Sequence, residues 1–518
     1  MTDAQATTYD EIPYSTTPFY YSHPDALATK ATVFGMTPAP PERCRVLELG
    51  CARGGNLIPM AQTLPESRFV GIDLSPGQIA NARAVVESLG LRNIDLMARS
   101  IMDVDESFGE FDYIICHGVY SWVPAEVQHR ILMICKRNLA PNGVAYISYN
   151  TYPGWHLFGV LRDLLAFHVR RIPEPRRRLH EARAFLDFLR GVVEGDSTVY
   201  GRMLAEAIDE LRPEADSYVF HEYLEDINEP IYFHQFVERA AAKGLQFLDD
   251  AESRPLPGNV SAQTKGFFQN HATDLIAQEQ YRDFLSGRPF RRTLLCHDQI
   301  ALRRPPSADV MKGLHVVTKL QPTAPSWDPS PDAVRQFTTA KGVTMSTNNP
   351  FLGKSLYALF ETWPRSMPFP ELWQRVRDAA PDAGADESSQ LASPLLACFL
   401  ADVIELHVHP PRFTVEVTDR PRASEVARLQ AKSSHRVTNL RHYSVELDAY
   451  LRFVLRHLDG RHDRSMLLEA LDKALDSGDL AGEEENQPLR DAESRRQQFH
   501  DALEPCLRKL SGCSLLIA

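Results

Sequence analysis

From Arg45 onward the chain repeats one pattern: a short apolar run, a turn marked by glycine, then an amphipathic stretch. RVLELG reads as a buried strand by its Val and Leu content and its abrupt glycine stop. NLIPMAQTLP predicts a helix, with Pro59 tolerable because it falls in the first turn. RFVGIDLS is a second strand. SPGQIANARAVVESLGL is a helix with Ser75 as its cap, Pro76 near the first helical position and Gly90 as its stop. NIDLMARSIMD and FDYIICHGV supply strands three and four, PAEVQHRILMICKRNLAPNG another helix, and GVAYISYNTYPGW a fifth strand. Strands alternating with helices predict an α/β, doubly wound, Rossmann-like parallel sheet with helices on both faces. Ligands of such sheets bind beyond the carboxyl ends of the strands.

The residues at those ends share a chemistry. Strand one is followed by Glu48-Leu49-Gly50-Cys51-Ala52-Arg53-Gly54-Gly55, where glycines admit a ligand close to the backbone and Glu48 accepts hydrogen bonds. Asp73, after strand two, offers a carboxylate to a vicinal diol such as a ribose. Asp103, after strand three, is placed to accept from an exocyclic amine. Gly50, Ala52 and Gly55 nearly match the dinucleotide fingerprint G-x-G-x-x-G. The glycine that admits a pyrophosphate is replaced by Ala52, however, and an acidic Glu48 precedes the turn. Three acceptors around a glycine floor favour S-adenosylmethionine over NAD as the cofactor.

LELGCARGGN, VGIDLS and FDYIICHGVYSWVP resemble motifs of class I S-adenosylmethionine-dependent methyltransferases. The resemblance is closer to bacterial methyltransferases carrying a methyltransferase regulatory domain, among them the rickettsial protein lysine methyltransferases that modify an outer-membrane protein. It rests on HGVYSWVP (117–124), SYNTYPGW (148–155), YDEIPYSTTPFYYSHP (9–24), FHEYLEDINEPIYFHQF (220–236) and EQYRDFLSGRPFRRTLL (279–295). It continues more weakly in VTNLRHYSVELDAY and LDGRHDRSMLLEAL. The resemblance implies that Glu48, Gly50, Ala52 and Gly54 hold the methionine end of the cofactor, and that Ala52 at the middle glycine position is normal for the subgroup. It further implies that Asp73 binds the ribose, that Met102 and Asp103 flank the adenine, and that Leu74 belongs to the same cofactor-binding set.

Methyl transfer is an in-line displacement, so the site must align a nucleophile and exclude water. His117, Tyr120 and Trp122 follow strand four, and Tyr149, Asn150, Tyr152 and Trp155 follow strand five; both sets are expected to face the methyl group. Tyr149 and Asn150 sit where related enzymes place acceptors for a target nitrogen. His117 reads equally as a general base or as an orienting group. Trp122 and Trp155 read equally as packing anchors at helix starts. The catalytic candidates are therefore Tyr149, Asn150, His117 and Trp122. Tyr9, Tyr14 and Tyr20 lie in a segment with no core pattern, expected to fold over the cofactor as a lid.

The chain is far longer than one such domain. Its 518 residues divide into an N-terminal lid (1–40), a methyltransferase core (41–156), a mostly helical regulatory domain (157–300), a connecting segment (301–349) and a C-terminal α+β winged-helix-like domain (350–518). Lys and Arg number 56 against 68 Asp and Glu, a net charge of −12. That balance disfavours nucleic acid, and the C-terminal unit has no concentrated basic recognition helix. Arg176, Arg177 and Arg178 read as a solvated helix face more readily than as an anion-binding patch. DSGDLAGEEENQPLRDAES is an acidic exposed loop. The eight cysteines form no C-x-x-C pair and are expected as buried free thiols. Cys398, His407 and His409 lack a fourth ligand, so no metal is expected.

No run reaches the roughly 18 apolar residues of a membrane span, and the first residues have no signal-peptide pattern, so a cytoplasmic location is expected. The function expected is methyl transfer from S-adenosylmethionine to lysine side chains of a protein. The alternatives are a small-molecule or secondary-metabolite methyltransferase and a non-catalytic cofactor-binding interaction protein. The expected partner is a protein substrate, with no nucleic acid; a homodimer is left open.

Overall fold

A computed structural model of the chain describes residues 8–14, 16–252, 266, 274–328, 330, 333–339, 342–377, 388–478 and 492–517. Most of the acidic stretch at 476–494 and the side chain of Tyr9 lie outside these residues.

The predicted alternation appears as β1 (Arg45–Leu49), α2 (Leu57–Thr63), β2 (Arg68–Asp73), α3 (Pro76–Ser88), β3 (Ile94–Ala98), β4 (Phe111–Cys116), α4 (Ala125–Asn138) and β5 (Leu139–Asn150), preceded by α1 (Pro24–Val33). Ser75 caps α3 by accepting from the Gln78 amide at 3.0 Å. The strands β3, β2, β1, β4 and β5 lie side by side in that order and run parallel. The chain therefore reverses its winding between β1 and β4. Their carboxyl ends diverge there, opening a crevice.

Two further strands complete a seven-stranded mixed sheet. They come from the mostly helical region that follows. Helices α5 (Gly154–Val169), α6 (Pro175–Val192), α7 (Val199–Leu211) and α8 (Asp216–Tyr223) pack around Leu161, Leu165, Leu186, Ile208 and Phe220. After α9 (Phe233–Ala241), β6 (Leu245–Asp250) leads to α10 (Leu275–Ser286) and β7 (Phe290–His297). β7 pairs antiparallel with both β5 and β6, setting Tyr149 opposite Arg291 and Asn150 opposite Phe290. Arg291 is fully buried and bridges Asp250 (2.7 Å), Asp283 (2.8 Å) and Glu279 (3.2 Å), so one guanidinium ties β7 to β6 and α10.

Alternation divides the sheet's side chains. Val46, Tyr113 and Tyr146 face a core shared with α1, α2 and α3; Leu47, Leu49, Ile147 and Tyr149 face one shared with α4 and α9. The first of these cores continues into a three-stranded sheet of β8 (His315–Thr318), β9 (Met367–Pro368) and β10 (Ile404–His407), covered by α11 (Pro350–Thr362), α12 (Phe369–Val376) and α13 (Ser393–Leu400). α1 falls inside the segment expected to be a lid. Its Leu27, Ala28, Ala31 and Val33 are buried in this core, so only the residues before it lie over the crevice.

The chain ends in a separate core of α14 (Glu425–Gln430), the hairpin β11 (Arg436–Thr438) and β12 (Ser444–Glu446), α15 (Ala449–His457), α16 (Arg464–Ser477) and α17 (Ala492–Gly512). All eight cysteines are unpaired, seven of them buried. Among the described residues, no helix is long and apolar enough to cross a membrane.

Candidate active site

The loop after β1 turns sharply because Gly50, Ala52 and Gly54 all adopt positive φ, +78°, +47° and +70°. A side chain at Gly50 would place its Cβ 2.5 Å from Val119, in the loop after β4, so glycine there lets the two loops meet across the crevice. Ala52 holds a backbone conformation costly for any side chain. Its amide donates to Asp73 Oδ2 at 2.9 Å, while Asp73 Oδ1 accepts from the Ser75 amide at 2.9 Å. Asp73 thus fastens the first loop to the second. Burial pushes its carboxyl up, and the two amides pull it back. Beyond it, Leu74 is 62% exposed and Met102 44% exposed, two apolar side chains open to solvent just after β2 and β3. Ser100 and Asp103 cap the single turn Ile101–Asp103 reciprocally, with Asp103 accepting from the Ser100 amide at 3.2 Å.

Glu48 lies at the floor, 3% exposed. Its Oε1 accepts from Asn56 Nδ2 at 2.8 Å, and its Oε2 has no hydrogen-bond partner among the described residues. Burial raises its carboxyl to about 7, against the pull of the Asn56 bond. A buried oxygen without a partner costs about 1–3 kcal/mol, a cost that a ligand's ammonium would remove. A carboxylate wanting a cation, a second carboxylate beside a glycine floor and an apolar rim fit the amino-acid end, ribose and adenine of S-adenosylmethionine.

The N-terminal segment crosses this crevice. Asp10 accepts a hydrogen bond from the Ser75 hydroxyl, and Thr16 lies so close over Gly55 that a Cβ there would meet its Oγ1 at 2.5 Å. The Phe19 amide donates to Asn56 Oδ1 at 2.9 Å, and the Phe19 ring lies 3.6 Å from the His117 ring, centre to centre. Tyr14 reaches Glu222 on α8 at 3.5 Å. Tyr20 turns the other way and stacks on Tyr443 of the C-terminal unit at 4.7 Å. Arg176 donates to the Glu11 carbonyl and Arg178 to that of Leu224, so two of the three arginines on α6 hold neighbouring chain in place.

The candidates after β4 and β5 part company. His117 Nδ1 pairs with the Tyr146 hydroxyl at 2.8 Å, and burial with the nearby Arg292 charge pushes the imidazole down to about 3. Trp122 packs edge-on against Trp155 at 6.3 Å and lies 5.9 Å from the Arg162 guanidinium. Asn150 is buried: its Nδ2 donates to Asn228 at 2.9 Å and its backbone amide to Ser121 Oγ at 2.9 Å. Tyr149 points through the opposite face of the sheet, stacking on Phe236 at 4.1 Å with its hydroxyl paired to Thr293 at 2.9 Å. Tyr149 and Asn150 are therefore not brought together. His407 and His409 pair with Asp25 (2.6 Å) and Glu42 (3.2 Å), respectively. Among the described residues no group of three or more His, Cys, Asp or Glu is arranged to hold a metal ion.

Asn56, Thr16, Phe19 and Tyr146 escaped the reading of the sequence. Asn56 had a signal, its place directly after the double glycine; the others are brought in by contacts distant along the chain.

Three family models match: a methyltransferase domain over 46–143, a predicted methyltransferase regulatory domain over 215–297, and the PKMT C-terminal winged helix domain over 419–515. The regulatory match spans α8 through β7, so that domain contributes β6 and β7 to the main sheet. The winged-helix match begins after β10, so α11 to α13 form a unit before it. The uncharacterized protein RP789 of Rickettsia prowazekii is 34% identical over 98% of this chain and 93% of its own. RP028 of the same organism is 42% identical over 46% of this chain and 96% of its own. The structure of PKMT2 from Rickettsia typhi superposes with a TM-score of 0.86 at 30% identity, covering 98% of this chain and all of the other. The same protein in complex with AdoHcy gives 0.84.

Proposed function

The chain belongs to the PKMT family of S-adenosylmethionine-dependent methyltransferases, and from that premise we propose that it methylates lysine side chains of another protein. The observation that carries this reading is the extent of the likeness to PKMT2, which takes in 98% of the chain and not the cofactor domain alone. The net charge of −12 supports it, since a lysine-rich partner would be attracted.

When bound, S-adenosylmethionine supplies a methyl group on a sulfonium, open to in-line attack by an amine. In this reading Glu48 receives the ammonium of the amino-acid end above the floor made by Gly50, Ala52 and Gly54. Asp73 receives the ribose, and Leu74, Met102 and Asp103 border the adenine. The segment 8–22 acts as the lid that excludes water. An imidazole that takes its second proton only near pH 3 is too weak a base to hold a proton taken from an amine at neutral pH, so His117 orients neighbouring groups and is not the base. Glu222 is better matched: burial raises its carboxyl to about 7, and it adjoins Tyr14 of the lid. In this reading it is the candidate to take the proton a lysine ammonium sheds before reacting. Asn150 and Trp122 form the acceptor side, while Tyr149 braces β5 from behind.

Incubating the enzyme with S-adenosylmethionine and candidate acceptor proteins, followed by peptide mass spectrometry, should reveal methyl increments on lysine. Increments confined to small molecules or to other side chains would overturn the reading.

A further inference from the structure

The winged-helix unit reaches the floor of the cofactor site. The turn between β11 and β12 holds Asn439 to Tyr443, with the Asn439 side chain accepting from the amides of Arg441 (3.0 Å) and Tyr443 (2.9 Å). His442 sits at its tip with φ +60°, a left-handed conformation rare outside glycine and asparagine, and is 4% exposed. Its neighbours anchor the turn: Arg441 and Tyr443 bind Glu405 of β10 at 2.5 and 2.6 Å. An independent contact beside it, Ser424 to Gln62 at 2.8 Å, joins the same unit to α2.

From that tip His442 Nε2 meets Asn56 Oδ1 at 2.8 Å. The chemistry of the junction is determined. The Phe19 amide can only donate, so the Asn56 atom it meets is the oxygen, and Asn56 Nδ2 is turned toward Glu48 Oε1. His442 must then carry its proton on Nε2. Burial and the adjacent His23 keep the ring from taking a second one. Ser22 completes the set, accepting from Asn56 Nδ2 at 3.1 Å.

We propose that His442 is a positioning residue for cofactor binding: by donating to Asn56 it fixes the amide that holds Glu48, making the winged-helix unit part of the cofactor site. The strain at the tip is then the cost of placing that donor. The proposal rests on Glu48 receiving the cofactor's ammonium, and its test separates the two ideas.

AdoHcy binding to the full chain is measured by calorimetry for the wild type, E48Q, H442N, H442Q and the double variant E48Q/H442N. Asparagine tolerates the left-handed backbone, so H442N keeps the turn while its short amide falls short of Asn56. Glutamine restores an N–H at the reach of Nε2. E48Q should weaken binding at least about tenfold, as expected on losing the charge of a charge-assisted bond. H442N should weaken it about 5- to 10-fold, H442Q less than about 2-fold, and H442N should add less than about 2-fold in the E48Q background. Undiminished binding by E48Q would remove the Glu48 assignment itself. Weakened binding by E48Q with none by H442N would overturn the relay alone. The relay is also overturned if H442Q binds as poorly as H442N, or if the H442N penalty persists unchanged beside E48Q; either result would mean that His442 serves packing only.

Discussion

Glu48 is the residue on which the site turns. Free, its carboxyl titrates at about 7 because burial penalises the charge. A ligand ammonium beside it favours the ionised form, so the complex holds fewer protons than the free protein. AdoHcy affinity should therefore be level above about pH 7 and fall toward tenfold per pH unit below it, and E48Q should flatten that dependence. Calorimetry across pH 5.5 to 8.5, roughly spanning that titration, checks both. At Asp73 one carboxylate fastens two loops and, in the proposed reading, receives the ribose. D73A removes both amide bonds and the acceptor for the ribose at once, so it should weaken AdoHcy binding at least about tenfold by calorimetry. Glu222 is tested by rate: E222Q should lower kcat by about a hundredfold or more, as loss of a general base does, with little change in AdoHcy affinity.

At the scale of elements, the parallel half of the sheet was legible because each β–α unit is written locally: apolar run, glycine, cap, helix. In the antiparallel half only the strand after Gly244 was legible, where VERAAAKGLQFLDD turns from helix to strand; its pairing was not. β7 pairs with β5 across more than a hundred residues and carries β6 on its other edge, and their stability rests on Arg291, a charge that no periodicity marks as interior. R291M removes the two-pronged partner of Asp283 and leaves Arg288, 2.6 Å from Asp250 and 3.9 Å from Asp283, as the remaining cation; it should cost about 3 kcal/mol, seen as an early unfolding transition by calorimetry. Strand alternation also separates Tyr149 from Asn150: consecutive residues face opposite sides, and only the register with β7 shows which side is the crevice. The junction between α1 and β10 carries its own test. Burial alone would lower the His407 imidazole, but the Asp25 carboxylate outweighs it and raises it to about 9. The folded value lies above the ordinary 6.5, so this stabilisation is complete below 6.5 and lost as pH rises through 9. Thermal unfolding should reflect that loss in the wild type and not in H407N, which keeps a donor for Asp25 without titrating.

Across the whole molecule, the length of the chain acquires a physical meaning. The regulatory region supplies two strands to the methyltransferase sheet, the N-terminal segment bridges the glycine loop and α8, and the winged-helix tip touches Asn56. No sequence pattern announces such contacts, because each joins residues far apart along the chain and only folding makes them neighbours. The arrangement closes one crevice from three sides, and its central claim concerns what lies at the bottom. A crystal structure of the full chain with AdoHcy tests that claim most directly. The ligand's ammonium should lie within hydrogen-bond distance of Glu48 Oε2, with the ribose hydroxyls on Asp73 and the adenine between Leu74 and Met102. A ligand bound elsewhere, or one bound here with Glu48 Oε2 still unpartnered, would contradict it.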